Sequence, residues 1–546
     1  MKILRYTIFT AAALTLASCS DIDNLQPQGG NLLAEQVKEI NTILPERAEA
    51  SFTGMYVKLG QPHSLDIFGD DGRPDDFGFI MMAFSNDAEG ADLVLPDTGY
   101  NWFIVCGDYT SRNADYANPL IRYSSAYNEI ALANTVISSY AITENTPKEV
   151  YYNIAQAKAV RAFTYLNLAP YYQFNYQIAK DKPCVPIVTE GTTDFTNNPR
   201  ASVEKVYKLI VDDLTYAIEK LEGYKRPDKS KIDQQVAYGL RARAYLDMGM
   251  WAEAAADAEK AAAGYTPATI AEVSVPSFYD IAEHNWLWGY DMTVDQAQRA
   301  SDATSSAWLR SFSGESYAAG VQNYARCNTL LYKKIPATDV RKNWWVDEDL
   351  YSPLLDKISW NGKSGKDLAN LEIPDTKTAF LPYTNVKFGM YTVGGTTNDE
   401  DWPFMRVEEM LLIRAEALYR SGQQEEGKKV LSDFVKTYRD PGYNVNATGR
   451  KFEDEVWFQR RVELWGEGFA CSDARRLNKP LVRFHDNAES TNMPAISRFN
   501  MKADDGWHLL RFTTSELNTN FAVKDNNEGS LPKQDQNPEL RDGVTD

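Results

Sequence analysis

Arg241-Ala-Arg-Ala-Tyr-Leu-Asp-Met-Gly249 and Arg414-Ala-Glu-Ala-Leu-Tyr-Arg-Ser-Gly422 align without a gap, although the whole stretch from Met250 to Ile413 separates them. Each reads as the end of a helix. Ile232, Val236, Leu240 and Ala244 recur every four residues upstream of Gly249, and Val407, Leu411, Ala415 and Leu418 form a similar face upstream of Gly422. That spacing lays one apolar stripe along a helix. A glycine then stops it, because the residue after a helix often takes a left-handed conformation that costs glycine least. Ala242 and Ala415 are small enough to let a second helix lie close. That second helix follows in both places, as Trp251, Ala255, Ala258 and Ala262 in one and Val430, Phe434 and Tyr438 in the other. A third copy, Arg161-Ala-Phe-Thr-Tyr-Leu166, opens the same way but lacks the glycine.

Working outward, helical periodicity covers roughly 115–265 and 403–470. A helix ending in glycine, followed by a second helix carrying small residues, has the shape of a tetratricopeptide-like pair. The copies do not repeat at a fixed interval, so the expectation is three or four degenerate pairs with insertions between them. Residues 60–112 and 266–402 differ in character, being rich in Gly, Pro, Asp, Asn and aromatics with little helical period. Loops of that length in a compact domain are usually functional. From Lys524 the chain is polar, which predicts a disordered tail over 524–546. The fold class expected is therefore mostly α, with helical pairs and an inserted lobe rich in loops and aromatics. One domain spans 31–523, since a large core with insertions fits this length better than several small domains.

The first residues predict export. Lys2 and Arg5 precede the short apolar run Tyr6 to Ala17, and Leu16-Ala-Ser-Cys19 follows. A basic start, an apolar stretch too short to span a bilayer and small residues before a cysteine describe a signal over 1–18 with a lipobox. Cys19 is the expected lipid anchor, and residues 19–30, acidic at Asp21 and Asp23, a flexible tether. Lys and Arg number 57 against 76 Asp and Glu, a net charge of −19, which repels phosphate backbones and argues against nucleic acid. Cys106, Cys184, Cys327 and Cys471 lie far apart without a CxxC and read as free buried thiols, one bridge among them being the alternative.

At this point the sequence resembles the SusD/RagB family of Bacteroidetes outer-membrane lipoproteins over most of its length. The resemblance is carried by Ala50-Ser-Phe-Thr-Gly-Met-Tyr56, Tyr127-Asn-Glu-Ile-Ala-Leu-Ala-Asn134, Arg161-Ala162 with Tyr165 and Leu166, and Ser202-Val203 through Asp212-Asp-Leu214. Later segments continue it: Ala337-Thr-Asp-Val-Arg341, Met405-Arg-Val-Glu-Glu-Met-Leu-Leu-Ile-Arg-Ala-Glu-Ala417, Arg460-Arg-Val-Glu-Leu-Trp-Gly-Glu-Gly468, and Asp473-Ala-Arg-Arg476. Leu510-Arg-Phe-Thr-Thr514 departs from the family's usual close. The resemblance implies a cell-surface lipoprotein, lipid-anchored in the outer membrane, that acts as the lid of a SusC-like TonB-dependent transporter. It implies capture of glycan, with peptide or another nutrient as the alternative. A helical scaffold that binds protein partners without a ligand of its own is the other reading.

Sugar binding needs flat aromatic faces with polar groups beside them. The loop corresponding to the family's ligand face holds Asp71 and Arg73, then Tyr100-Asn101-Trp102, and this is the first candidate cluster. Trp308, Phe312, Tyr317 and Tyr324 form a second one in a Ser/Gly-rich stretch. Aromatics are more often core, and Trp102 in particular has packing against the following helix as its plainer role. Trp286 and Trp288, alternating in a short strand, and Trp344-Trp345 read as packing residues. Asp70, Asp71, Asp75 and Asp76 lack the pattern of a calcium loop and read as a solvated turn, with a structural calcium as the alternative. No cofactor is expected. Arg406, Glu408, Glu409, Arg414, Glu416, Glu463, Glu467, Asp473 and Arg475 read as ion pairs between helices rather than an acid–base site. The four histidines are scattered, and the chain has no HExxH, GxSxG or P-loop, so an enzyme is not expected.

Overall fold

The computed structural model describes residues 34–62, 75–97, 102–297, 309–314, 324–371 and 380–546. Two short helices, α1 (Ala34–Ile43) and α2 (Glu49–Lys58), lead into α3 (Phe79–Glu89). The main helices follow: α4 (Ala117–Ser138), α5 (Lys148–Tyr172), α6 (Val203–Lys220), α7 (Gln234–Met248), α8 (Trp251–Ala262), α9 (Val407–Arg420), α10 (Gln424–Tyr438), α11 (Phe452–Glu463) and α12 (Ala470–Arg476). From α4 to α10 each of these packs on the next, including α8 on α9 across the long insertion. The mostly helical architecture and the paired helices match expectation. The irregular repeat spacing is explained by the insertion, which leaves the stack after α8 and returns to it at α9.

The two aligned segments fold alike. Gly249 and Gly422 take positive φ of 75° and 94°. In each, the next residue's N–H reaches back to the helix, Met250 to Tyr245 O and Gln423 to Leu418 O, both at 2.9 Å. This double closure satisfies carbonyls that the helix end would otherwise leave open. At the other ends, Ser202 Oγ accepts from Lys205 N and Asp233 Oδ1 from Val236 N. Ala242 and Ala415 are fully buried, as close helix approach requires.

Strands are short and antiparallel: β1 (Leu93–Val94) pairs with β5 (Arg326–Cys327), β2 (Pro183–Pro186) with β3 (Arg200–Ser202), and β4 (Trp286–Tyr290) with β6 (Trp402–Arg406). The last pair closes the base of the insertion, with Trp286 opposite Arg406 and Tyr290 opposite Trp402. Trp286, Trp288, Trp344 and Trp345 are all essentially buried, so the packing role read for them holds.

Charges tie the fold together. The Glu463 carboxylate meets Arg439 at 2.8 and 2.9 Å, and Arg406 and Arg341 at 3.2 Å each. Arg406 also takes Glu467 at 2.8 Å through two nitrogens and Glu408 at 3.0 Å. Arg341 is held by Asp339 at 2.7 Å, and Lys387 joins through Glu467 at 2.7 Å. Every side chain of this network is buried. Three guanidiniums hold the Glu463 carboxyl far below the usual carboxylate range, whereas burial lowers the Lys387 ammonium to about 8. A second buried cluster gathers Arg112 and Arg122 on Glu89, at 2.7 and 2.6 Å. The structural reading of the charged motifs is therefore met.

Three expectations need correction. Residues 60–112 contain a helix, α3, buried along nearly its whole length. A helix covered on all sides has no polar face and hence no visible amphipathic period. Asp75 and Asp76 are buried rather than solvated, and Asp76 accepts a hydrogen bond from Gly78 N. Among the described residues no cluster suited to a metal is present, while Asp70 and Asp71 lie outside them. Finally, 524–546 is not a free tail. Asn526 exchanges two hydrogen bonds with the Phe512 backbone, Asn527 reaches Leu510 O, and Asp542 binds Arg461 at 2.6 Å beneath the surface. Low apolar content predicted disorder, but the Asn and Asp side chains here serve buried partners of their own. The four described cysteines are free and buried.

Candidate ligand-binding face

Five segments of the loop-rich lobe, 63–74, 98–101, 298–308, 315–323 and 372–379, lie outside the described residues. Their flanking residues are bound to one another. Gln61 donates to Gln296 O at 3.2 Å, joining the start of the first segment to the start of the third. Strand β1, just before the second, pairs with β5, just after the fourth. The fully buried Asn385 is the central clamp: its Nδ2 donates to Leu309 O at 2.9 Å and Ala325 O at 3.2 Å. Those two carbonyls stand at the ends of the third and fourth segments. Phe380, at the end of the fifth, lies 5.2 Å from Tyr324 and 6.1 Å from Phe312 between ring centroids. Below this, Arg310 donates to the carbonyls of Phe278, Gly389 and Asp401, between 2.7 and 3.2 Å. The five segments therefore spring from one hydrogen-bonded and aromatic base.

This base settles the places of three candidate residues. Trp102 is half-buried, packed against the main core at the end of the second segment. Phe312 and Tyr324 correct the second cluster: both are buried, and their rings complete the base around Phe380 rather than offer a face to solvent. Burial raises the Tyr324 hydroxyl above its ordinary value. Asp71, Arg73, Tyr100, Asn101, Trp308 and Tyr317 fall outside the described residues, as does Cys19. Sequence reasoning missed Asn385 and Phe380. Phe380 stood in an aromatic-rich stretch already marked as unusual. Asn385 had the weaker signal of a lone amide set between apolar and aromatic neighbours, Tyr383 and Val386.

No helix among the described residues is long and apolar enough to cross a membrane. Comparison with known proteins gives two family matches: the SusD family over residues 312–537, and a family described as starch-binding associating with outer membrane over 86–246. Comparison with curated proteins gives no match. Among solved structures, the chain is similar to a SusD-like carbohydrate binding protein from Bacteroides vulgatus, at 23% identity and a TM-score of 0.70, covering 88% of this chain and 97% of the other. It is also similar to a SusD superfamily protein from Bacteroides thetaiotaomicron, at 18% identity and TM-score 0.66, covering 88% and 99%. A third is surface glycan-binding protein A from Bacteroides thetaiotaomicron in complex with laminarihexaose, at 15% identity and TM-score 0.61, covering 88% and 99%. Together the two family matches take in both the helical stack and the base of the loop-rich lobe, and the chain belongs to the SusD/RagB family.

Proposed function

We propose that this protein captures oligosaccharide on the face from which the five segments spring and passes it to a SusC-like TonB-dependent transporter. The observation that carries this reading is the common base built on Asn385 and Phe380, with the half-buried Trp102 at its edge. Trp102 is only half-buried, and indoles are the side chains that best meet the apolar C–H patches of a sugar ring. The adjoining Tyr100 and Asn101, with Asp71, Arg73, Trp308 and Tyr317 on the neighbouring segments, supply further aromatic and polar groups. Similarity to carbohydrate-binding structures supports the same ligand class. A lipid on Cys19 would hold the protein at the outer membrane, with residues 19–30 as the tether of a lid. Binding without chemistry is the role assigned.

The test is calorimetry on the mature protein with a panel of laminari-, malto- and xylo-oligosaccharides. We expect saturable binding to at least one, and Trp102→Ala to weaken it at least tenfold, about 1.4 kcal/mol. No heat across that panel, or full affinity in the variant, contradicts the reading. Cleavage products in the calorimeter cell would contradict the non-catalytic role. Failure of a barrel transporter to copurify with the membrane-bound protein would contradict the lid.

A further inference from the structure

The guanidinium at the base of the loop-rich face also organises a pair of tyrosines. Arg310 donates to the carbonyls of Phe278, Gly389 and Asp401. Phe278 precedes Tyr279, Gly389 stands two residues before Tyr391, and the Asp401 carboxylate accepts the Tyr391 hydroxyl at 3.2 Å. The two tyrosine rings meet edge to face, with 5.2 Å between centroids and 89° between planes. Such a neighbour covers at most one face of Tyr391. Asp401 is buried, so its bond turns the polar tip of Tyr391 inward, yet 48% of the residue stays exposed.

The stretch that carries Tyr391 is fixed at both ends. Gly389 N donates to Ser277 O at 2.7 Å, Gly394 N to Phe312 O at 2.7 Å, and Gly314 N to Gly395 O at 2.9 Å. It therefore lies along 309–314, the bridge between the third and fourth segments. Gly394 has a positive φ of 79°, and a side chain there would strike the Trp360 indole, so glycine is what lets the loop seat. A ring mounted in this way needs little ordering when a ligand arrives.

The charged groups around it are chiefly acidic. Burial, then the carboxylates of Asp401, Asp280 and Asp291, raise the Tyr391 hydroxyl above its ordinary value. Asp291 is exposed and Asp280 half-buried. The bases nearby are engaged: Arg310 by its three carbonyls, and Lys231, which faces Asp291, by the Tyr56 ring at 4.2 Å.

We propose that Tyr391, braced by Tyr279, is a stacking platform for a sugar ring on this face, and that Asp280 and Asp291 confine it to sugar units free of carboxylate and sulfate. The inference rests on the oligosaccharide reading and adds to it a contact residue and a selection by charge. Like charge placed opposite a ligand acts mainly by rejecting the wrong partner.

The experiment is calorimetry on the mature protein with the member of the laminari-, malto- and xylo-oligosaccharide panel that binds, and with the same oligosaccharide carrying one uronic acid unit. We expect Tyr391→Ala to weaken the neutral sugar at least fivefold. Tyr391→Phe, which keeps the ring and loses the bond to Asp401, should restore most of that loss. The acidic counterpart should bind at least threefold more weakly than the neutral one. Asp280→Asn combined with Asp291→Asn should close that gap, and added salt should narrow it, since exposed charges are screened. Circular dichroism establishes that each variant is folded. Three results overturn the proposal: full affinity in Tyr391→Ala, Tyr391→Phe as weak as Tyr391→Ala, or the acidic sugar bound as tightly as the neutral one. Binding that Trp102→Ala weakens and Tyr391→Ala does not would remove this inference and leave the oligosaccharide reading standing. No binding to any panel member would remove that reading, and this one with it.

Discussion

Glu463 stands at the centre of the buried charge network. Arg341, Arg406 and Arg439 converge on it from three separate segments, and none of the four side chains is exposed. Removing one partner of such a group leaves buried charge uncompensated, at a cost of about 3–5 kcal/mol. Glu463→Gln is therefore expected to lower stability by that order, measured as a shift in the urea midpoint at constant m-value. The pH dependence follows from the same contacts. Glu463 lies far below the ordinary carboxylate range in the folded state, and Glu416, gripped by Arg476 through two nitrogens, is lowered to about 2. A carboxyl depressed on folding stabilises fully above its unfolded pKa and loses that contribution as pH falls toward the folded one. Stability should hold down to about pH 5 and fall steeply below it, and Glu463→Gln should flatten that fall. An unchanged acid limb in the variant would contradict the assignment.

Among elements, the helical pairs were legible because each carries its own signal. The stripe at every fourth residue, the small residue at the contact and the glycine at the end act within one helix, and Gly249 and Gly422 close their helices in the same way. Helix α3 was not legible, because burial on every side removes the polar face that periodicity needs. The C-terminal segment was misread for a related reason. Composition counts polar residues without saying what they bind, and Asp542 binds Arg461 at 2.6 Å in the interior. Deleting residues after Pro538 should destabilise the protein by about 1–3 kcal/mol, less than a full ion-pair loss because Asp92 still holds Arg461 at 2.7 Å. Denaturant titration of the truncated chain checks this, and an unchanged midpoint would show that the segment is a passive tail.

At the scale of the whole molecule, the helical stack and the loop-rich face are separate constructions joined through β4 and β6. The motif residues that carried the family resemblance, among them Asp339, Arg341, Arg406, Glu408 and Glu463, assemble into the buried charge network rather than into a ligand site. They report the fold and are silent about the ligand. The candidate site was only partly legible for that reason. Trp102 could be singled out by its loop, but the difference between it and the buried Phe312 or Tyr324 depends on which rings close around Phe380, a three-dimensional fact. The proposed function places ligand on the face built on that base. Hydrogen–deuterium exchange with and without a saturating oligosaccharide from the panel tests it most directly. New protection is expected in 93–103 and 309–327, with α6 to α10 unchanged. Protection confined to the helical stack, with none in those two stretches, would contradict it.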